Sequence, residues 1–270
     1  MTALVIRASS LPQFPDCGRR WAARNLRDEI EAAGYKLRTL PPSIGAAIGT
    51  GTHAAAAHEL THKMEHGDLG NPDHAEQRGI QALEEELEGG AVWDEISPNK
   101  AFAQRQVVKQ ARSYRAGVSE RVKPVAVERR LKATFRGLTI SGQQDLVVAE
   151  PDTLRDLKTG RIQRSNGAQY GTYTRLLRAH GKPVTKIIED FVMRVGIAKE
   201  QPPPVEIEYD VAASERQTET ILKRIEADVA AWRGASDPES FLANPSSFLC
   251  GDKWCPAWGT AFCTAHRGAK

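Results

Sequence analysis

The chain has 270 residues, of which 40% are hydrophobic and 26% charged, a composition typical of folded globular proteins and unlike that of disordered ones. It contains no apolar run of the roughly 18 residues that a membrane-spanning helix needs, and no long apolar signal segment near residue 1. We therefore expect a cytoplasmic protein without membrane contact. The net charge of +3 permits nucleic-acid binding without requiring it.

Helical patterns fill the first part of the chain, residues 1–120. Apolar residues recur there at helical spacing, and Gly34 supplies a stop signal after the first run. The helical patterns cover 9–33, 45–65 and 74–118, the last of them broken at 89–90 and Pro98. The sequence therefore predicts a helical N-terminal part.

From Val125 onwards, the hydrophobic period changes to the alternation of β-strands. The predicted strands cover 125–135, 138–149, 153–160, 186–196 and 204–211, and the predicted helices among them cover 166–180 and 213–233. This order predicts a mixed α/β core over 121–235, followed by a cysteine-rich tail over 236–270.

Four cysteines lie at the two ends of the sequence. Cys17 stands alone, whereas Cys250, Cys255 and Cys263 lie together in the tail. In a reducing compartment, four thiols favour one metal centre over disulfides, either an iron–sulfur cluster or a structural zinc. Two disulfides are the alternative. A shared centre would dock the tail on Cys17 and close residues 1–270 into a single domain.

Three charged residues on the predicted strands form a candidate catalytic set. Asp145 lies on one strand, and Asp156 and Lys158 lie two residues apart on the next, so the latter two side chains share a face. Two carboxylates from neighbouring strands suit Mg²⁺ or Mn²⁺. A lysine beside such a metal can orient or deprotonate a water. The alternative is that all three are ordinary strand-edge residues.

Further motifs lie on both sides of this set in the sequence. GTGTH contains Gly49, Thr50 and His53, QYGTY contains Gln169 and Tyr173, and SSLPQFPDCGRRW surrounds the first cysteine. Together with the D-L-K-T-G segment, these motifs resemble the PD-(D/E)XK nuclease superfamily in its RecB-like branch. The arrangement of one upstream cysteine and three C-terminal ones resembles the iron–sulfur members of that branch, the AddB-type and CRISPR-adaptation-type exonucleases. The spacing C-x4-C-x7-C departs from theirs by being wider.

The resemblance implies a restriction-endonuclease-like core, in which helices flank a mixed central sheet, with an N-terminal helical insertion. The implied ligands of Mg²⁺ or Mn²⁺ are His53, Asp145, Asp156 and the backbone carbonyl of Leu157. Lys158 would be the catalytic lysine. Glu128, on the first strand of the hairpin, either accompanies the metal, as such a glutamate can in the family, or is a solvated strand residue.

The resemblance also implies a DNA exonuclease that acts on single strands or duplex ends. Gln169 and Tyr173 would belong to the catalytic site and contact the nucleic-acid strand, and the four cysteines would hold a [4Fe–4S] cluster. Arg19, Arg20 and Arg161 are candidate phosphate contacts. The sequence has no G-x-x-x-x-G-K-[ST] loop, so a helicase or recombination partner would supply any motor.

A competing motif lies on the predicted helix over 45–65. The segment from His58 to His62 is a literal H-E-x-x-H, the pattern of zinc metalloproteases. His53 lies about 140° around the helix from His58, so we expect the two interpretations to use different faces. Two further functions compatible with the sequence are a DNA-binding module without catalysis and a nuclease subunit that works only within a helicase complex.

Overall fold

The computed structural model describes residues 4–149 and 152–265. Its strands are β1 Val5–Arg7, β2 Pro124–Phe135, β3 Leu138–Val148, β4 Thr153–Gly160, β5 Lys186–Met193 and β6 Val205–Tyr209. In the described residues they form one six-stranded mixed sheet in the order β1-β3-β4-β5-β6, with β2 paired to β3. The β1–β3 and β4–β5 pairs are parallel and the others antiparallel.

Helices cover both faces of this sheet and extend beyond it. They are α1 Gly18–Asn25, α2 Arg27–Ala32, α3 Ile44–His66, α4 Pro72–Leu87, α5 Lys100–Tyr114, α6 Gly167–Ala179 and α7 Val211–Ala235. The predicted α/β fold, a mixed central sheet flanked by helices, is confirmed. None of the helices in the described part of the chain is both long enough and apolar enough to cross a bilayer.

Strand β3 carries a gap along one of its edges. On that edge, β1 pairs with residues 139–141 and β4 pairs with residues 146–148. Residues 142–145 between them have no strand partner there among the described residues. Backbone groups in such a gap need other partners, and the gap exposes the side chain of Asp145 at the centre of the sheet.

Helices α3 and α6 enclose this gap from opposite faces. On one face, Ala56 and Leu60 of α3 pack with Leu157 of β4. On the other, Tyr173 of α6 packs with Leu154 of β4. Adjacent positions of a strand point to opposite faces of the sheet, so β4 presents apolar side chains to both helices. The site is therefore placed between two packed layers.

A glycine pair lets α4 approach α3 closely. A Cβ atom on Gly79 would lie 2.8 Å from the carbonyl oxygen of Gly51, and one on Gly51 would lie 2.7 Å from that of Gly79. These distances leave no space for a methyl group on either residue. This close contact between α3 and α4 holds α3 on the side that faces away from the sheet.

The cysteine-rich tail and the N-terminal helices share a hydrophobic cluster with α7. Trp21 of α1, Trp232 of α7, and Phe241 and Phe262 of the tail are buried in it. The Trp232 ring lies 5.7 Å from that of Phe262, centroid to centroid, in an edge-to-face arrangement. The two ends of the sequence therefore pack together through apolar side chains as well as through the cysteines.

Two local features differ from the sequence prediction. The helix expected over 9–33 is divided into a 3₁₀ helix at Ala8–Gln13, then α1 and α2. Proline at position 15 and the extended backbone of Cys17, with φ −159°, separate the first two. Strand β1 was not predicted, because three residues are too short to show a period of two.

Candidate active site

Asp145 occupies the gap in the sheet and has two partners there. Its Oδ2 atom accepts a hydrogen bond of 2.8 Å from the backbone N–H of Leu157, which replaces a bond of the β3–β4 ladder. The same oxygen lies 3.3 Å from Nδ1 of His53 on α3. Helix α3 comes this close because position 49 is glycine: a Cβ there would lie 2.9 Å from Oγ1 of Thr159.

Glu128 of β2 completes a cluster of three potential metal ligands. Ligand atoms of His53, Glu128 and Asp145 all lie within 4.8 Å of one another, the one such group of three in the described part of the chain. Glu128 has a positive φ of 48°, an unusual conformation for a residue in a strand. Its carboxylate accepts a hydrogen bond of 2.5 Å from Nε2 of Gln143.

Asp156 and Lys158 lie beside this cluster on β4. The Lys158 ammonium forms an ion pair with Asp156, whose side chain is 1% exposed. Asp156 also accepts hydrogen bonds of 3.4 Å each from Gln169 and Tyr170 on α6. Of the predicted metal ligands, His53 and Asp145 are thus brought together with Glu128. Asp156 stands outside the group of three, and Leu157 touches it through its N–H.

The pKa values of the site residues are shifted by burial and by one another's charges. Burial raises the pKa of Asp156 to about 7, although Lys158 opposes the rise. Burial and the charge of Asp145 raise the pKa of Glu128. Burial would lower the pKa of Lys158, but Asp156 and Asp145 raise it overall, so the ammonium stays charged at neutral pH. Burial is thus the main cause of both raised carboxylate pKa values, whereas His53 and Lys158 lower the pKa of the neighbouring Asp145 despite its burial.

A comparison of the sequence with the profiles of known families identifies the family of this chain. The sequence profile of the PD-(D/E)XK nuclease superfamily matches residues 7–260. The chain belongs to this superfamily. Its members are nucleases that use divalent metal ions, so the predicted superfamily and its nuclease chemistry are confirmed at that level.

Two solved structures resemble this nuclease at low sequence identity. An inferred exonuclease from Eubacterium rectale is 11% identical with a TM-score of 0.40, and the match covers 64% of this chain and 66% of that one. The structure of SSO0001 is 13% identical with a TM-score of 0.26, and the match covers 73% of this chain and 83% of that one. No curated protein matched the nuclease sequence.

Helix α6 supplies a second layer of polar side chains to the nuclease site. Gln169 and Tyr173, both predicted, are joined by a hydrogen bond of 2.8 Å from Nε2 to the phenol oxygen. Sequence reasoning missed Tyr170, whose hydroxyl donates to Glu189 of β5 at 2.5 Å. Glu189 is fully buried. A carboxylate inside the apolar strand segment KIIEDFVM was the available signal for this network.

An open cleft of about 1010 Å³ leads to the candidate catalytic residues. We call it the active-site cleft, and its lining includes His53, Glu128, Lys158, Arg161, Glu189 and Trp254. Arg161 is exposed there and forms an ion pair of 3.0 Å with Glu95. Of the three predicted phosphate contacts, this arginine alone faces the cleft.

The other two predicted phosphate contacts are buried near the tail. Arg19 is 2% exposed, and its Nε donates to the carbonyl oxygen of Phe241. Arg20 is 3% exposed and donates to Asp16 and Ser247. Both guanidinium groups are almost fully buried and bind tail or N-terminal groups, and neither lines the active-site cleft.

The H-E-x-x-H segment does not form a protease site. Glu59 points into the protein, where its carboxylate accepts hydrogen bonds from Ser119 at 2.5 Å and Arg115 at 3.2 Å. A catalytic glutamate would instead face the metal and its water. His58 and His62 line a groove that also contains His53, so the expectation that the histidines use separate faces is wrong.

The four cysteines of the nuclease line one small cavity between α1 and the tail. The Sγ atom of Cys17 accepts a hydrogen bond of 3.4 Å from the backbone N–H of Arg20 and so caps α1. Burial, and then the nearby Cys263 and Cys17, raise the pKa of Cys250. Among the described residues, the His53 cluster is the one group of three potential ligands whose atoms all lie within 4.8 Å of one another. The cysteine sulfurs therefore include no group of three at this distance.

Proposed function

We propose that this protein is a Mg²⁺- or Mn²⁺-dependent DNA exonuclease with a structural iron–sulfur cluster. The observation that carries the proposal is the convergence of His53, Glu128 and Asp145 in the sheet gap, next to the Asp156–Lys158 ion pair. An imidazole, several carboxylates and a lysine in one cleft suit metal-assisted hydrolysis of a phosphodiester better than they suit proteolysis or DNA binding without catalysis.

The residues present fit a divalent cation. Two carboxylates and one imidazole suit Mn²⁺, and the preponderance of oxygen donors suits Mg²⁺. Burial, and to a lesser extent the charge of Asp145, raise the pKa values of Glu128 and Asp156, and a bound cation would favour the charged form of both carboxylates. We assign His53, Glu128 and Asp145 as the residues that would hold the metal, and Asp156 as the carboxylate that positions Lys158 beside them.

Each side chain then has a distinct task. The bound metal would polarise the scissile phosphate and lower the pKa of a water. Lys158, held in its charged form by Asp156, offsets negative charge that develops in the transition state and orients the water. Gln169 holds the Asp156 carboxylate through a hydrogen bond, and the Tyr170 hydroxyl, whose proton goes mainly to Glu189 at 2.5 Å, lies 3.4 Å from it. Tyr173 in turn accepts from Gln169 and fixes its amide.

The cysteine cavity supports the cluster part of the proposal. The cavity brings Cys17 of the N-terminal part together with Cys250, Cys255 and Cys263 of the tail. Four cysteine thiolates are the ligand set of a [4Fe–4S] cluster, and they are also that of a structural zinc. The arrangement of one upstream cysteine and three C-terminal ones, as in the iron–sulfur members that the sequence resembles, favours the cluster.

One assay tests the catalytic proposal. End-labelled single-stranded and duplex DNA are incubated with the protein and Mg²⁺, Mn²⁺ or EDTA, and the products are resolved by length. We expect metal-dependent release of short products from an end, and none with EDTA. Cleavage only at internal positions would exclude an exonuclease, and cleavage of neither DNA with either metal would exclude the function. Metal analysis of anaerobically purified protein tests the cluster: about four irons per chain are expected, whereas one zinc contradicts it.

A further inference from the structure

A second large cleft joins the active-site cleft beside the cysteine-rich tail. It lies between α1, residues 39–43 and the tail, and has a volume of about 1300 Å³. We call it the tail cleft, and the lining that matters here is Arg24, Arg164, Phe248, Lys253 and Trp254. Arg164 and Trp254 line both clefts, so the two are continuous. A long ligand in the tail cleft would lead directly to the catalytic residues.

The tail cleft is basic, and several of its cations are available. Arg24, Arg164 and Lys253 form no ion pair with any described residue, in contrast to Arg161. The one carboxylate in its lining, Asp16, is bound by Arg20 and Ser247. Free cations in a groove that ends at a phosphodiesterase site complement the charge of a nucleic-acid backbone.

Two aromatic side chains, the exposed Phe248 and the half-buried Trp254, are interleaved with these cations. The Phe248 side chain is 89% exposed, which is unusual for a phenylalanine. Trp254, at the junction of the clefts, is held by Arg24, which donates to its carbonyl oxygen at 2.8 Å. Lys253 lies over the indole ring, 4.8 Å from its centroid. Aromatic rings alternating with cations are the arrangement by which proteins bind single strands, because each ring can stack on a base.

We infer that a single nucleic-acid strand lies in the tail cleft, with bases stacked on Phe248 and Trp254 and phosphates on Arg24, Arg164 and Lys253, and passes Trp254 to reach the catalytic site. The inference rests on the proposed nuclease function. A duplex cannot use this path, because its base faces are hidden in its own stack. The cysteine centre thereby acquires a second task, since it holds Phe248 and Trp254 in position next to Cys250 and Cys255.

Binding measured without hydrolysis tests the path. Fluorescein-labelled oligothymidylate and a blunt duplex are titrated in EDTA with the full protein, and Kd is read from anisotropy. Phe248→Ala and Trp254→Ala should each weaken single-strand binding by about 5- to 150-fold, the range for loss of one base–aromatic stack. Duplex binding should change little. Leu242→Ala is the matched control, because Leu242 is 72% exposed in the same tail and lies outside the cleft lining.

Salt dependence tests the phosphate contacts. Lys253→Gln should reduce the slope of log Kd against log salt for the single strand by about 0.7, the value for one contact. Lys182→Gln, an exposed lysine outside both clefts, should leave that slope unchanged. Because Phe248 and Lys253 are exposed, these variants should fold even if Trp254→Ala does not.

The outcomes separate this inference from the proposed function. Aromatic variants that bind single strands like the wild type, or that lose duplex binding equally, overturn the path. If the aromatic variants lose single-strand binding but the wild type hydrolyses no DNA with Mg²⁺ or Mn²⁺, the path stands and the nuclease function fails. If the wild type hydrolyses DNA but the aromatic variants bind single strands as the wild type does, the nuclease function stands and the path fails.

Discussion

At the scale of single residues, Lys158 and Asp156 form an ion pair whose two members have different expected roles in catalysis. Burial raises the pKa of Asp156 to about 7, and a cation beside it opposes that rise and favours its charged form. In this structure that cation is Lys158. A divalent metal would add a second one. Removing either residue should therefore affect catalysis, but through different steps.

Both Asp156→Ala and Lys158→Ala should lower the hydrolysis rate by at least about 10²-fold, the scale for losing one acid–base or electrostatic contributor. Asp156→Ala removes negative charge from a cleft that faces phosphate, so DNA binding in EDTA should be kept or improved. Lys158→Ala should weaken that binding modestly, by about one phosphate contact in the salt slope. Mn²⁺ titrations of the rate should show a higher requirement for Asp156→Ala alone. Wild-type rates in both variants would refute the catalytic assignment.

The three assigned ligands make a second prediction at this scale. His53→Ala and Glu128→Gln should raise the Mn²⁺ concentration for half-maximal rate at least about tenfold, since loss of even an outer partner of a metal ligand has this effect. His58→Ala should not, because His58 is exposed and stands outside the ligand group. A greater effect of His58→Ala than of His53→Ala would reverse the assignment.

At the scale of secondary-structure elements, the site depends on how α3 is held. This helix places His53, and α4 supports it through the Gly51–Gly79 crossing. Gly79→Ala would gain about 1 kcal/mol of helix propensity. It would also bring a methyl group to within 2.8 Å of the backbone oxygen of Gly51, which can move only if α3 shifts.

Gly79→Ala should therefore destabilise the protein by about 1–3 kcal/mol, the usual cost of overpacking. Gly89→Ala is the matched control, since a Cβ there has no atom within 4 Å, and it should change the free energy of unfolding by less than about 0.5 kcal/mol. Urea denaturation of the two variants provides the measurement. Equal stabilities would show that α3 and α4 adjust without cost.

Glu59 on the same helix should make stability depend on pH. Burial raises its pKa above the ordinary 4.5, although hydrogen bonds from Ser119 and Arg115 oppose the rise. A carboxyl group whose pKa is higher in the folded state contributes stability below about pH 4.5, and this contribution is lost as the pH rises through the folded-state pKa. The free energy of unfolding of the wild type, relative to Glu59→Gln, should therefore fall with rising pH. The exposed Glu86→Gln should show no such trend when urea unfolding is repeated between pH 4 and 8.

The elements were largely predictable because their signals are local. The alternation of β2 and β3 and the glycine-rich start of α3 are visible in the sequence, and their bounds agree with the structure to within a few residues. Long-range partners were not visible. Tyr170 and Glu189 meet only across α6 and β5, and the neighbouring Arg19 and Arg20 resembled surface cations until the tail was found to cover them.

At the scale of the whole molecule, the cysteine-rich tail packs against the N-terminal helices and also forms part of the active-site cleft. It packs on α1 and α7 through Trp21, Trp232 and Phe262, and it supplies Trp254 to the junction of the two clefts. The tail has little regular secondary structure of its own in the described residues. Segments of this kind depend on side-chain packing and cross-links for their order. The cysteine cavity is the element that can supply such a cross-link.

Cys17→Ala should therefore destabilise the N-terminal helices and the tail as well as the cysteine cavity. A centre that joins Cys17 to Cys250 closes a very long loop, and its loss frees both ends of the chain together. We expect a lower melting temperature, faster proteolysis within the tail and weaker single-strand binding in the same variant, because Phe248 and Trp254 lose their support. Ser246→Ala, at an exposed tail position, should match the wild type in all three measurements. If Cys17→Ala melts like the wild type while its iron is lost, the apolar cluster around Trp232 holds the tail by itself, and the cysteine centre has a role other than stability.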